Sequence, residues 1–147
     1  MKNVTRTLGL MVLLSSLSAV AAPKVNDTTI PTMVPKGKVD SKGWREYKVK
    51  TEAGTKVEVE FDRKGELAEA SGDHLNKGDM FEPGQGLISL STAAQAVTKA
   101  GNILKDEWEF SNDSKYGWVY SFEGERKGNS MDYMVDAKSG AIVKAED

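Results

Sequence analysis

Ile88-Ser89-Leu90-Ser91-Thr92-Ala93-Ala94-Gln95-Ala96-Val97-Thr98-Lys99-Ala100-Gly101-Asn102 is the one stretch of this chain with a clear helical period. Leu90, Ala93, Ala94, Val97 and Ala100 recur at three- and four-residue spacing, which puts them on one face of a helix. Ser89 suits the N-cap, where a hydroxyl can accept from an otherwise unpaired amide, and Gly101-Asn102 supplies the stop. The many alanines allow such a helix to lie close against a sheet. On both sides of it the chain reads as strand.

Downstream, Trp108 and Phe110 alternate with Glu107 and Glu109, and Trp118, Tyr120 and Phe122 alternate with Val119 and Ser121. Asn112-Asp113-Ser114-Lys115 marks a turn between them, and the charged run 124–129 forms the next hairpin loop. Met131-Asp132-Tyr133-Met134-Val135 leads through Asp136-Ala137-Lys138-Ser139-Gly140 into a last strand over 141–145. Upstream, Val57, Val59 and Phe61 alternate with Lys56, Glu58 and Glu60, after a first strand over 44–50. Asp62-Arg63-Lys64-Gly65 is a turn, and 66–70 continues as a third strand. Period-two alternation is the mark of strands with one wet face. The sequence predicts an α+β fold: an antiparallel β-sheet with one α-helix packed on it, preceded by a β-meander.

The chain divides into four parts. Residues 1–21 carry Lys2 and Arg6, the apolar run 8–14 and the small residues Ala19-Val20-Ala21, the order of a secretory signal peptide. The run is far short of the roughly 20 residues that span a bilayer, so it is no membrane anchor. Cleavage is expected between Ala21 and Ala22, because a cut after Ala22 would put Pro23 directly at the scissile bond. Residues 22–42 hold three of the four prolines and no sustained apolar period, which predicts a flexible leader. Residues 43–86 form the meander and a polar, Gly-rich loop, and 87–147 the domain with the helix. The expected compartment is the periplasm, or the outside of the cell.

No cysteine is present, so stability has to come from a packed core, and disulfide exchange and thiolate metal sites are excluded. About 125 residues remain after processing, enough for one domain with a real core. The formal net charge is −2, with acidic and basic residues interspersed and no basic stripe. Nucleic acid and anionic lipid are therefore poor candidates for partners, and no nucleic acid is expected.

Two halves of the chain echo each other. Gly43-Trp44 and Gly117-Trp118 each open a hairpin segment. Phe61-Asp62-Arg63-Lys64-Gly65-Glu66-Leu67 parallels Val135-Asp136-Ala137-Lys138-Ser139-Gly140-Ala141-Ile142, apart from one inserted residue. Repeated hairpin chemistry and partial duplication both account for this.

The helix start Ile88-Ser89-Leu90-Ser91-Thr92-Ala93-Ala94, the strand Trp118-Val119-Tyr120-Ser121-Phe122 and the last hairpin from Tyr133 to Ile142 resemble the PepSY domain. The resemblance covers about 87–147. It implies a short Ala-rich helix on antiparallel strands, as found in propeptides of secreted metallopeptidases and in small exported proteins. It also implies a binding role, with peptidase inhibition among those proposed for the family.

Chemistry is sparse. Asp73, His74, Asn76, Asp79 and Glu82 share one loop and offer oxygen and imidazole ligands, but zinc needs several His or Cys and His74 is the single one. The spacing is also not that of an EF-hand calcium loop. No Gly-x-Ser-x-Gly is present, and Gly84-Gln85-Gly86 lacks the residues of a phosphate cradle. Glu58, Glu60, Glu107 and Glu109 lie on strands, as acids on any half-exposed sheet do. No catalytic, metal or cofactor site is assigned. Trp118, Tyr120 and Phe122 are expected in the core, with Met131 or Met134 on the opposite face as part of a docking surface, or a sheet edge as the docking place. The expectation is a non-catalytic periplasmic module that binds a protein or peptide, with a peptidase as the candidate partner. A small-ligand or metal-responsive envelope sensor is the alternative.

Overall fold

The structure is a computed structural model in which residues 20–147 are described. The expected signal peptide over 1–21 lies almost wholly outside the described residues. Eight strands form one sheet: β1 Lys38–Lys42, β2 Glu46–Lys50, β3 Lys56–Phe61, β4 Leu67–Gly72, β5 Ile103–Asp113, β6 Gly117–Arg126, β7 Asn129–Asp136 and β8 Ile142–Glu146. Their order in the sheet is their order in the chain, and every neighbouring pair is antiparallel. A one-turn helix α1 (Ile30–Met33) precedes β1, and the ten-residue α2 (Leu90–Lys99) joins β4 to β5 after a 3-10 turn at Leu75–Lys77.

The two echoing turns are built alike. Asp62 Oδ1 accepts from the amides of Lys64 at 2.8 Å and Glu66 at 3.0 Å. Asp136 accepts from the amides of Lys138 and Ser139, each at 3.2 Å. Gly65 and Gly140 take φ of +72° and +78°, a region where a Cβ is strained. Each turn adjoins a register shift, between Glu60 and Phe61 in one case and Met134 and Val135 in the other. The sheet thus repeats one order, a helix followed by four strands, and the pairs Ala70↔Phe110 and Gly72↔Trp108 join the halves across β4 and β5.

Alternation decides the core. Tyr47, Val49, Val57 and Val59 are buried from β2 and β3, and Trp108, Phe110, Trp118, Tyr120, Phe122, Tyr133 and Val135 from β5 to β7. The α2 side chains Leu90, Ala93 and Val97 are fully buried with them. Phe110 is the hub: its ring stacks on Trp118 at 5.0 Å and tilts against Tyr120 at 4.7 Å and Phe81 at 5.3 Å. Ser89 caps α2 as predicted, accepting from the Thr92 amide at 3.2 Å. The Tyr120 hydroxyl donates to the Ile88 carbonyl at 2.7 Å and fixes the start of α2 to β6. Burial holds that phenol well above its ordinary pKa.

The leader is corrected. Residues 22–42 pack on the sheet rather than hang from it: Val25, Ile30, Met33 and Val34 are buried in the common core. The Val25 amide donates to Gly65 O at 2.8 Å, and Pro23 O accepts from the Leu67 amide at 2.8 Å. Asp27 Oδ1 accepts from the Tyr47 hydroxyl at 2.6 Å. Pro31 lies in the first turn of α1, where an amide hydrogen is not needed. The physical reason is coverage. The N-terminal strands need an apolar lid, and α2 contacts β5, β6 and β7 instead.

Candidate functional site: the acidic face of the sheet

Residues that alternate away from the core populate the other face of the sheet. Glu46 lies directly opposite Glu60, and Glu60 opposite Glu69, so three carboxylates line up across β2, β3 and β4. A second row runs Glu123, Asp132, Glu146 across β6, β7 and β8. Between the rows, Glu109 on β5 stands opposite Ser71 on one side and Ser121 on the other. Like charges directly opposite each other in a sheet are destabilising.

The middle of this face is an open trough of about 460 Å³. Glu69, Asp73, Glu107, Glu109, Glu123 and Asp132 line it, with Lys144 as the one basic residue and Met134 as an apolar contribution. Among the described residues no ion pair reaches Glu69, Glu107, Glu109, Glu123 or Asp132; Lys48 is 3.8 Å from Glu58 and Lys144 3.4 Å from Glu146. The Glu69 carboxyl is held above its ordinary pKa, first by desolvation and then by the charges of Glu109, Glu60 and Glu58. The face can therefore attract cationic side chains, and the serines between the acids can donate hydrogen bonds.

The residues singled out from sequence fall in several places. Trp118, Tyr120 and Phe122 are in the core. Met134 lines the trough, whereas Met131, opposite Gly124 and three positions earlier, packs against the core side. The loop 73–82 is pulled apart rather than gathered. Asp79 turns inward, where its Oδ2 accepts from Trp108 Nε1 at 2.8 Å and from the His74 amide at 3.0 Å. The His74 side chain is exposed, Asp73 borders the trough, and Asn76 Nδ2 donates to Leu104 O at 3.1 Å. The Glu82 amide donates to Met33 O at 2.7 Å. Among the described residues no group of three or more His, Cys, Asp or Glu is placed to hold a metal ion. A side chain at Gly72 would collide with Asp79 and Trp108, so the glycine makes room for their contact.

The edges offer less. β1 is exposed along its whole length, carries Lys38 and Lys42, and is interrupted by a bulge between Val39 and Ser41, features that discourage a further strand. β8 is short, and Ile142 is partly exposed on it. Near the N-terminus, Ala21 is exposed while Val20 and Ala22 pack against the core. Among the described residues no helix is long and apolar enough to cross a membrane.

Comparison with known families agrees with the fold. Residues 87–146, which hold α2 and β5 to β8, match the family model described as PepSY, peptidase propeptide and YPEB domain. No curated protein and no solved structure matches the chain.

Proposed function

With residues 87–146 forming a PepSY domain, we propose that this chain is a non-catalytic binding module of the cell envelope that docks a protein or peptide rich in lysine and arginine. The partner we favour is an exported peptidase whose activity the module restrains. The observation that carries this reading is the row Glu46–Glu60–Glu69 beside Glu109, on a face that places acids against acids. Such a face costs the free protein stability, and a basic partner would offset that cost while gaining a fast, steered association. The non-catalytic part of the reading is supported by the inward turn of Asp79, whose Oδ2 is engaged by Trp108 Nε1 and the His74 amide.

The test uses residues 22–147 immobilised and exposed to periplasmic extract, beside a Glu69→Lys/Glu109→Lys variant. The reading expects a basic protein retained by the native face and lost from the reversed one. If that protein is a peptidase, its turnover falls when the free module is added. Retention of nothing, or equal retention by both faces, contradicts it.

A further inference from the structure

Beside Glu46, the turn between β1 and β2 carries Trp44, at 82% the most exposed large apolar side chain among the described residues. Its counterpart in the second half behaves otherwise. Trp118 also follows a glycine at the start of a hairpin segment, yet it is 7% exposed and stacks on Phe110 at 5.0 Å. Trp44 thus takes no part in the core, and an indole left in water costs free energy that a bound group would recover.

Trp44 shares a surface pocket of about 500 Å³ with Glu46, Glu60, Asp62 and the half-buried Phe61, whose ring tilts against Tyr47 at 5.7 Å. Glu46 and Glu60 stand directly opposite each other across β2 and β3. Arg45 is the one base in the lining, and its guanidinium carbon lies 5.3 Å from the centre of the Trp44 ring. Among the described residues no ion pair reaches Arg45, Glu46, Glu60 or Asp62. Acid therefore exceeds base around the exposed indole.

We propose that this pocket takes the guanidinium of an arginine side chain on the basic partner; the inference rests on the reading of the acidic face and names one anchor within it. A guanidinium is planar, stacks on an indole, and can pair with a carboxylate through two parallel hydrogen bonds. Arg45 already makes the stacking contact from within the chain. An ammonium is a compact point charge without a plane, so a lysine gains charge attraction here but less from the ring. An apolar anchor would desolvate Glu46 and Glu60 without pairing either. The excess of acid decides for a cation, and the indole decides for a flat one.

The experiment follows the Trp44 indole Nε1–H of residues 22–147 by NMR, with its peak assigned through Trp44→Phe. The probes are alternating Gly-Arg and Gly-Lys octapeptides, titrated at one fixed ionic strength. The Gly-Arg peptide should shift the Trp44 indole saturably and leave that of Trp108, which is bonded to Asp79, in place. It should bind about fivefold more tightly than the Gly-Lys peptide. Trp44→Ala should abolish that preference and leave Gly-Lys binding unchanged, with the melting temperature of the parent because the side chain is exposed. Glu69→Lys/Glu109→Lys should weaken both peptides, which separates this anchor from the acidic face. Equal binding of the two peptides by the parent, both lost on that charge reversal, would overturn the anchor and leave the face standing. A preference that survives Trp44→Ala, or no binding of the Gly-Arg peptide, would also overturn it. So would a Trp44 shift produced by an N-acetylglucosamine trimer and not by the Gly-Arg peptide, which would put a glycan there instead.

Discussion

Glu69 on β4 faces Glu60 on β3 directly across the strand pair, with no ion pair to either among the described residues. Together with Glu109 and Glu58 this arrangement holds the Glu69 carboxyl above its ordinary pKa. A raised folded-state value means that the native chain binds the proton more tightly than the unfolded chain does. The charge then weakens the fold as pH rises through the ordinary glutamate range and past the folded value. Glu69→Gln should therefore melt higher than the parent at pH 7, and the two should converge near about pH 3, where both states are protonated. Thermal melts across that range check it; a parent that melts higher at pH 7 contradicts the electrostatic assignment.

The bond from Trp108 Nε1 to Asp79 Oδ2 ties the loop after β4 to β5. Trp108→Phe keeps an aromatic ring and removes the donor. It should cost about 1–2 kcal/mol in urea unfolding, because a buried acceptor loses one of its two partners. A change below about 0.3 kcal/mol would mean that the His74 amide suffices alone.

Ile30 is 1% exposed in the segment expected to be loose. Ile30→Ala should destabilise the whole domain by about 2–4 kcal/mol, as for other large-to-small core changes. A floppy leader would give no measurable effect.

Tyr120→Phe leaves the Ile88 carbonyl without its hydroxyl donor while keeping the ring against Phe110. The expected loss is about 1 kcal/mol. Amide exchange in the first turn of α2 should rise more than exchange in β6, since the bond holds the helix start to the sheet.

The legible parts of the fold were those in which side chains announce their own surroundings. Ser89 and the spacing of Leu90, Ala93 and Val97 define α2, and Asp62 with Gly65 and Asp136 with Gly140 define two turns. β1 hid because Lys38-Val39-Asp40-Ser41-Lys42 has no buried side chain and is held by backbone pairing to β2. The segment 22–34 hid because Val25, Ile30, Met33 and Val34 follow no single period; they are placed by the sheet that they cover. The acids were visible one by one in the sequence, but only strand register sets Glu60 against Glu69. Asp79 read as a solvated loop acid because nothing local reveals Trp108 as its partner, 29 residues away.

Carboxylate footprinting of the complex with the protein retained from periplasmic extract tests the central claim most directly. Carbodiimide labelling should mark Glu107, Glu109, Glu123 and Asp132 in the free chain and lose them together on binding, while Glu52, outside the trough, stays reactive. Protection confined to β8 or to the α2 side, with the trough acids still labelled, would show that the partner docks elsewhere.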